Sequence, residues 1–568
     1  MPLDQLLVTT RSTGARITAA RLARYSSAVL FLPLAPTAAD FRALPHGAVL
    51  RDLFTRKVQK AGDCFHLRVG ARAQTLLVVA SVAEDAGTFE RLQAAGKLAR
   101  SALDGDPASL IVWQQGCAES AAQAMLHAMI AALQAAAFRL ASFKSKPKAR
   151  ARLTRIDVAP GGRLPDLDTT LATAAGNNLA RWLTALPPNV LDARGYRNLL
   201  AEIARQLGAG YTFYGEADLK RLGAGAFLAV SQGNATRDAG IVRLTYRPRG
   251  GSAPDLSLVG KGICFDTGGT NLKTHKSMLD MHTDMEGSAV AVGSLYALHM
   301  LRSRTAIDCW LAITENSIGP KAYKPQDLVK ALNGTTIQVI HTDAEGRMVL
   351  ADTLALASTR KPRAIIDYAT LTGACIYALT ERYSGAFTNR LELRDMIESA
   401  GTSSGERVWC FPMDGDYDTD IESSVADVMQ CATEGKGDHI IAARFLSRFV
   451  PKDVAWLHLD LSAGTRHGGL AHIGTEITGF GVRYTLDLLR RGWPRMAASS
   501  RGTAASRTAA SRTAASRTAA SRTAASGTAA SRTAAARSAA SRTASSRSAA
   551  GSRTAPGSRG ASARRTGR

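Results

Sequence analysis

Short apolar segments alternate with longer helical patterns along most of the chain, and this alternation limits the folds open to it. The apolar runs at 28–34, 75–82 and 109–113 predict strands, and the Ala-rich pattern at 121–143 predicts a helix. Strand, loop and helix in repeated order are typical of α/β folds with a parallel sheet. Such sheets bind ligands beyond the carboxyl ends of their strands, so chemistry is expected at those ends.

Four zones follow from the pattern and from composition, as expected for a chain of 568 residues. We predict an N-terminal α/β domain at 1–155, a linker helix at 156–189, a larger α/β unit at 190–492 and a disordered tail at 493–568. The linker helix should stop before the two prolines at 187–188, which cannot continue a helix.

The tail carries a large share of the positive charge. Residues 501–568 contain 14 arginines and no acid, and taking these from the net charge of +24 leaves +10 for residues 1–500. Apart from alanine, no aliphatic or aromatic residue follows Met496, so the tail cannot bury a core. The arginines favour contact with nucleic-acid phosphates, without the aromatics that stack on bases. A solvated tail without a partner is the alternative.

Targeting and cysteine patterns indicate a cytoplasmic protein. No apolar run reaches the roughly 18 residues of a membrane helix. The N-terminus lacks a basic start followed by an apolar core, so we expect no secretory signal, although four arginines at 11–24 leave a transit peptide open. Seven scattered cysteines without a CxxC pair predict free thiols in a reducing compartment.

The first candidate site is the segment VGKGICFDTGGTNLK at 259–273. A strand at 256–259 should feed a glycine-rich loop, in which Lys261 and Lys273 flank Asp266. Taken alone, this grouping favours an ion-pair network. It also fits a lysine of depressed pKa that binds metal and a second lysine that polarises a carbonyl group.

Two further clusters carry acids. Asp284 precedes a helical pattern at 288–300, where an Asp is typical of a helix N-cap. Asp343 and Glu345 follow an apolar run at 336–340, and Arg347 opens the next helical pattern. Carboxylates from three such junctions of one sheet could share two divalent ions about 3.5–4 Å apart. Helix capping plus a local salt bridge to Arg347 is the alternative.

Other hydrolase chemistries lack their motifs. The sequence contains no GxSxG and no HExxH, so serine esterase and zincin chemistry have no support.

These segments resemble the cytosolic leucyl aminopeptidase family. The resemblance spans about 180–490 and rests on the segment at 259–273, on HTDAEGRMVLADTLALA at 341–357 and on ATLTGA at 369–374. It implies a macro-domain-like N-terminal α/β domain, a C-terminal catalytic α/β domain with a mostly parallel central sheet, and a homohexamer.

The resemblance also implies a metalloaminopeptidase that removes N-terminal residues, leucine-like ones preferred, with water activated by two metal ions. Zinc or manganese is expected, and magnesium or cobalt also fits. Asp266 and Glu345 would bridge both ions, Lys261 and Asp284 would complete one site, and Asp343 the other.

Further roles are implied around the metals. Lys273 would stabilise the oxyanion, and Arg347 would hold a bicarbonate ion that helps to move the proton. The candidate substrate-binding residues are Met278, Thr370, Leu371, Thr372, Gly373 and Ala374.

Three positions depart from the family pattern, and one of them is Ser317, which replaces an apolar residue after Asn316. Glu286 stands where a small residue is usual, and we expect it to point outward as a first-turn acid, the alternative being a carboxylate that crowds the metals. His341 replaces an asparagine, and we expect it to support a residue of the site or merely to pack, the alternative being a base or a metal ligand. Glu286 alone supports a competing function, that of a catalytically weak or inactive member acting as a DNA-binding or structural oligomer.

Overall fold

The computed structural model of the protein describes residues 3–14, 16–70, 74–82, 84–146, 153–159 and 166–493. The predicted disordered tail lies outside these residues, apart from residue 493, and the domain limits given above stay predictions. Within the described residues, helices pack on a six-stranded and an eight-stranded sheet, and three short strands form a third sheet.

The six strands nearest the N-terminus form the first sheet. They are β1 (Thr9–Ser12), β2 (Ser27–Pro33), β3 (Cys64–Val69), β4 (Thr75–Val82), β5 (Ser109–Gln114) and β6 (Arg155–Ala159). Their order is β1-β6-β5-β2-β4-β3, and only β3 and β4 pair antiparallel. The accompanying helices are α1 (Ala19–Leu22), α2 (Ala38–Arg42), α3 (Gly47–Lys57), α4 (Thr88–Ala102) and α5 (Glu119–Ala137). The helix predicted at 121–143 therefore ends early, because Phe138 turns to extended backbone.

The larger sheet belongs to the second half of the described chain. The strands there are β7 (Gly210–Gly215), β8 (Gly240–Tyr246), β9 (Leu256–Asp266), β10 (Ile307–Asn316), β11 (Leu328–Lys330), β12 (Thr336–Gln338), β13 (Ala364–Ala369), β14 (Ser384–Thr388), β15 (Val408–Cys410), β16 (Val428–Met429) and β17 (Ala455–Asp460). The large sheet has the order β15-β14-β17-β13-β9-β10-β8-β7, and β17-β13-β9-β10 at its centre are parallel. The predicted α/β fold with a mostly parallel central sheet is confirmed.

Helices cover this sheet. They are α6 (Asp168–Thr184), α7 (Ala193–Leu207), α8 (Glu216–Leu222), α9 (Gly225–Ser231), α10 (His275–Met278), α11 (Glu286–Met300), α12 (Glu345–Ser358), α13 (Gly373–Leu379), α14 (Arg394–Ser404), α15 (Asp438–Ser447) and α16 (Val482–Arg490). Helix α6 lies within the segment predicted as a linker helix and ends before the two prolines as expected, whereas the start of that segment belongs to strand β6 of the first sheet. Within the described residues, no helix is long and apolar enough to cross a membrane.

Two sequence-based expectations about the sheet were wrong. Strand β9 does not stop at Val259 but continues to Asp266. Gly260 permits this because a Cβ there would lie 2.4 Å from the Cα of Ser288, so the bare backbone lets α11 rest against the strand. The strand before Asp343 is also not part of the main sheet, because β12 pairs with β11 and β16 in the small sheet.

The cysteine prediction agrees with the structure. All seven cysteines are free, and five of them are buried. They contribute small apolar side chains to the interior, as unpaired buried cysteines commonly do.

Candidate active site

Three chain segments bring their charged side chains to one end of the central sheet. Lys261 lies inside β9, and Asp266 ends that strand. Asp284 lies two residues before α11, whereas Glu345 opens α12 and Asp343 precedes it. The segments meet because β9 contacts α11, α12 and the short helix Met281–Thr283. The predicted gathering of these residues is therefore present, although its third part comes from outside the main sheet.

Lys261 ties two of these acids together. Its Nζ lies 2.8 Å from Oδ1 of Asp284 and 2.9 Å from Oε1 of Glu345. It also donates a hydrogen bond of 2.9 Å to the carbonyl oxygen of Thr370. The side chain is 3% exposed, so the amine is fixed in the interior.

Lys273 joins the other two acids. Its Nζ lies 2.9 Å from Oδ2 of Asp266 and 2.5 Å from Oδ1 of Asp343. Asp266 is oriented further by the amide group of Asn316 and the backbone N–H of Gly268, each donating to Oδ1 at 2.8 Å. Gly268 has a left-handed φ of 85°, which turns its N–H back toward the strand end.

We call these groups together the charged cluster. Its members are Lys261, Asp266, Lys273, Asp284, Asp343 and Glu345. With four carboxylates against two ammonium groups, negative charge exceeds positive charge by two when all are ionised. A divalent cation is the natural complement of such a surplus in a buried site.

Burial and mutual repulsion perturb the acids of the charged cluster. Burial is the main cause that raises the pKa of Asp284 and Glu345 to about 7 and that of Asp343 to about 6, with neighbouring carboxylates adding to it and the lysines opposing it. Acids held this far from their ordinary range are common at functional sites.

The pKa values of the two lysines shift in the direction opposite to the one expected for a lysine that binds metal. Burial would lower the pKa of Lys261 and Lys273, but the surrounding carboxylates outweigh it and raise both above the ordinary value. Under the influence of the protein's own charges, both lysines are therefore ammonium groups in ion pairs. A divalent cation beside Lys261 would reverse the direction by repelling the proton.

The donor set fits metal ions. One carboxylate oxygen each from Asp266, Asp343 and Glu345 lie within 4.8 Å of one another. Oδ2 of Asp284 and Oε2 of Glu345 are buried and accept no hydrogen bond from the described residues. A buried carboxylate oxygen without a partner is costly, and coordination of a cation would satisfy it.

Two expectations about single residues were wrong. Asp284 does not cap α11, because its side chain accepts hydrogen bonds from Lys261 and from the hydroxyl of Thr370. Glu286 does not point outward: it is fully buried, because the whole of α11 up to Leu298 is enclosed. Burial raises the pKa of Glu286 to about 8, although the N–H of Gly479 opposes the rise.

Arg347 contacts neither of the acids near it in sequence. Its Nη2 lies 2.8 Å from both carboxylate oxygens of Asp438, the first residue of α15, and its Nη1 donates to the carbonyl oxygen of Gln430 at 3.3 Å. The local salt bridge considered as an alternative from the sequence is therefore replaced by one to a distant residue. His341 receives the backbone N–H of Asp343 on Nδ1 at 3.3 Å, a positioning contact.

Sequence reasoning missed Asp460, which ends β17. Its Oδ1 accepts the backbone N–H groups of Leu371 and Thr372 at 3.0 and 3.3 Å, and its Oδ2 accepts the hydroxyl of Thr372 at 2.7 Å. The signal was available, because an acid follows the apolar run at 455–459, as it does at the other strand ends. Asp438 was also missed, and its partner is 91 residues away in the chain.

A cavity of about 760 Å³ opens over the charged cluster. Its lining includes all six members of the cluster, Arg347, Asp438 and Asp460. Of the candidate substrate-binding residues, Thr370, Leu371, Thr372 and Gly373 also line it. Met278 ends α10 and Ala374 lies in the first turn of α13, and their contact with substrate stays a prediction.

Comparisons with known proteins agree with this site. A family model described as "Cytosol aminopeptidase family, catalytic domain" matches residues 178–486. A "Probable cytosol aminopeptidase" of a Synechococcus species is 36% identical over 423 residues, 73% of this chain and 85% of the relative. One of Methylorubrum extorquens is 40% identical over 370 residues, 63% of this chain and 73% of the relative.

Two solved structures are similar to this chain in fold. A tomato leucine aminopeptidase mutant superposes with a TM-score of 0.73 at 26% identity, covering 85% of this chain and 97% of that one. The bottromycin maturation enzyme BotP gives 0.70 at 29% identity, covering 82% and 99%. The resemblance inferred from the motifs is thus confirmed, and the chain belongs to the cytosol aminopeptidase family.

Proposed function

We propose that this protein is a metal-dependent aminopeptidase that removes N-terminal residues, leucine-like ones preferred, from peptides with the help of two divalent metal ions. The observation that carries the proposal is the charged cluster, in which four buried or half-buried carboxylates converge on the floor of a cavity large enough for a peptide end. Membership of the cytosol aminopeptidase family supports the same reaction.

The acids would hold the ions as the family resemblance implies. Asp266 and Glu345 would bridge the two ions, Lys261 and Asp284 would complete one site, and Asp343 would complete the other. Divalent ions bound there supply Lewis acidity toward the scissile carbonyl and lower the pKa of a water molecule. Zinc or manganese is the proposed occupant, with magnesium or cobalt as alternatives, since carboxylate and amine ligands do not choose strongly among them.

Lys273 would be a second electrophile of the site, beside the metal ions. Asp266 and Asp343 keep its amine protonated and fixed at the wall of the cavity. A rigid ammonium group in a site shielded from water stabilises the negative charge that develops on a carbonyl oxygen during attack. The loop from Thr370 to Gly373, held by Asp460, lines the same cavity and would position the peptide.

The preference for leucine-like residues rests on the apolar part of the lining. Met281, Leu371, Ile376 and Leu461 all border the cavity. An apolar side chain gains roughly 1.5–3 kcal/mol on complete burial, whereas an acidic one would meet the carboxylates. Leucine and methionine are therefore expected to be released faster than aspartate.

The proposal is tested by metal add-back with a fluorogenic substrate. Metal-stripped protein should release aminomethylcoumarin from leucine-aminomethylcoumarin only after Mn²⁺ or Zn²⁺ is returned. N-acetyl-leucine-aminomethylcoumarin should stay intact, because an aminopeptidase requires the free α-amine.

An Asp343→Ala variant is the matched control. It removes a single ligand from the half-exposed side of the cluster, and we expect it to fold and to stay inactive with every metal. A folded native protein that releases nothing with any of the four metals would instead favour the inactive family member. Equal rates for the native protein and the variant would show that the charged cluster takes no part in the reaction.

Three further proposals concern the oligomeric state, the cellular location and the tail. A homohexamer and a cytoplasmic location are carried over from the family resemblance. Nucleic-acid binding through the 14 arginines of residues 501–568 is tested by the salt dependence of DNA binding, which should be steep and should vanish in a chain ending at residue 496. The bicarbonate ion that the resemblance implies also stays a prediction, and it would have to compete for Arg347 with the carboxylate of Asp438, which already lies beside the guanidinium.

A further inference from the structure

The guanidinium of Arg347 already has an oxyanion beside it. Both carboxylate oxygens of Asp438 lie 2.8 Å from Nη2 of Arg347. The arginine side chain is only 2% exposed, whereas that of Asp438 is 27% exposed. Arg347 is thus the buried partner, and Asp438 is the partner that reaches open space.

The open space beside Asp438 is the active-site cavity. Asp438, Arg347 and the acids of the charged cluster line the same cavity. Arg347 lies two residues after Glu345 in the first turn of α12, and both residues line that cavity. A carboxylate that is anchored on one side by a buried cation and open to the cavity on the other can accept a proton there.

The backbone fixes where Asp438 projects. It is the first residue of α15, and the preceding Gly437 has a left-handed φ of 63°. This conformation lets the chain turn sharply into the helix, so the carboxylate projects at the helix start. A negative charge in the first turn is also favoured by the helix dipole.

Asp438 matches bicarbonate in the charge and in the proton-binding capacity that it offers beside Arg347. Each offers one negative charge on a pair of oxygens, and each can take up one proton and return it. A buried guanidinium needs one such counter-charge. Because Asp438 provides it from within the chain, an ion from solution is not required.

We propose that Asp438 is a catalytic carboxylate that takes the place of bicarbonate at Arg347. The proposal rests on the aminopeptidase function proposed above. As water attacks the scissile carbonyl, its oxygen bonds to the carbonyl carbon and one of its protons passes to Asp438. When the C–N bond breaks, Asp438 returns that proton to the leaving amine nitrogen. Arg347 holds the carboxylate in place throughout.

The competing explanation is that Asp438 only neutralises Arg347 and begins a helix. Chemical rescue separates the two. An Asp438→Ala variant should lose about 10²–10⁴-fold in kcat, the usual contribution of a positioned proton-transfer group. In bicarbonate-free buffer, added formate or bicarbonate should fill the vacated place and restore at least a tenth of the lost rate in a saturable manner. Native protein should gain nothing from either ion.

A binding measurement provides a readout that does not depend on activity. Formate should raise the melting temperature of the Asp438→Ala variant, because an ion that binds the folded state stabilises it. It should leave that of the native protein and of an Arg347→Ala/Asp438→Ala double variant unchanged. This arm tests occupancy of the Arg347 site even if the protein proves to be no aminopeptidase, so the two proposals fail separately.

Two further variants complete the design. Glu202→Gln removes an exposed acid that pairs with Arg205 on α7, outside the residues that line the cavity, and it should keep native kcat. Asp438→Asn preserves shape if the alanine variant does not fold, and it should lose kcat with little change in KM. The proposal is overturned if either Asp438 variant keeps native kcat, if native protein needs bicarbonate, or if formate neither binds nor rescues the folded alanine variant.

Discussion

At the scale of single residues, Asp460 shows how an acid can serve the site without binding metal. Its two oxygens hold two backbone N–H groups and one hydroxyl in the loop at Leu371 and Thr372. The same loop offers the carbonyl oxygen of Thr370 to Lys261. Asp460 therefore fixes a wall of the cavity relative to the charged cluster.

We predict that Asp460→Ala lowers kcat about 10²-fold, since a misplacement of about 1 Å in a catalytic site can cost that much. Three hydrogen bonds to the loop are lost, so the loop is free to shift. Steady-state kinetics and thermal melting measure the two effects separately. Asp460→Asn retains the shape and one acceptor oxygen, and it should recover most of the rate. An unchanged kcat in the folded alanine variant would show that the loop needs no such anchor.

Glu286 has a different position from the one expected. The carboxyl group is enclosed beside Gly464, where a Cβ would lie 2.3 Å from Oε2, and it is absent from the residues that line the cavity. Its charge is thus separated from the substrate.

We therefore expect Glu286→Gln to keep kcat within about threefold of the native value, less than about 1 kcal/mol in barrier height. The substitution conserves shape and removes only the capacity to ionise. Rates with saturating leucine-aminomethylcoumarin measure it directly. A large gain in kcat would mean that Glu286 restrains the enzyme, as the sequence had left open.

At the scale of elements, the crossing of α6 and α11 determines where the segment bearing Asp284 lies. The helices touch through backbone, since a Cβ on Gly293 would lie 2.4 Å from the carbonyl oxygen of Gly176, and one on Gly176 would lie 2.3 Å from that of Gly293. Close contact lets α11 fit between α6 and the sheet.

Gly293→Ala should destabilise the protein by about 1–3 kcal/mol, the usual cost of overpacking. Denaturant unfolding provides the measurement. Gly415→Ala is the matched control, because its Cβ would meet no atom within 4 Å, and it should change stability by less than about 0.5 kcal/mol. Equal stabilities for the two variants would refute the close crossing.

The start of α16 carries a pH-sensitive contact. Oε2 of the buried Glu406 accepts the backbone N–H groups of Gly481 and Tyr484, each at 2.8 Å. Burial nevertheless raises the pKa of Glu406 to about 7 from its ordinary 4.5, against the effect of these hydrogen bonds. Between these two pH values the folded state binds a proton that the unfolded state has released.

Stability contributed by Glu406 is therefore complete below about pH 4.5 and falls as pH rises to about 7, by on the order of 3 kcal/mol in total. Glu406→Gln keeps an acceptor oxygen and cannot ionise. The stability of native protein relative to this variant should fall across that window and level off above it. Free energies of unfolding at several pH values measure the difference, and a constant difference would contradict the raised pKa.

At the scale of the whole molecule, the sequence predicted the fold class and the grouping of the charged residues, but not the details of the sheet. The residues of the charged cluster could be singled out because acids and lysines sit in short segments at strand ends, whereas their roles as metal ligands came from the family resemblance and stay a prediction. The length of β9 was missed, because glycines in a strand look like a loop until the helix that packs on them is known. The ion pair of Arg347 and Asp438 joins segments about 90 residues apart, and so do the hydrogen bonds that Asp460 accepts from its loop. No local sequence pattern predicts such contacts.

If the charged cluster is a two-metal aminopeptidase centre, hydrolysis must follow the number of metal ions bound to each chain, so the decisive measurement combines metal stoichiometry with activity. Metal-stripped protein is titrated with Mn²⁺, bound ions per chain are counted, and leucine-aminomethylcoumarin hydrolysis is followed at each point, with Asp343→Ala in parallel. We expect two ions per native chain, activity that appears with them, and fewer bound ions without activity in the variant. Full activity with no bound ion, or two ions bound equally by native protein and variant, would contradict the two-metal centre.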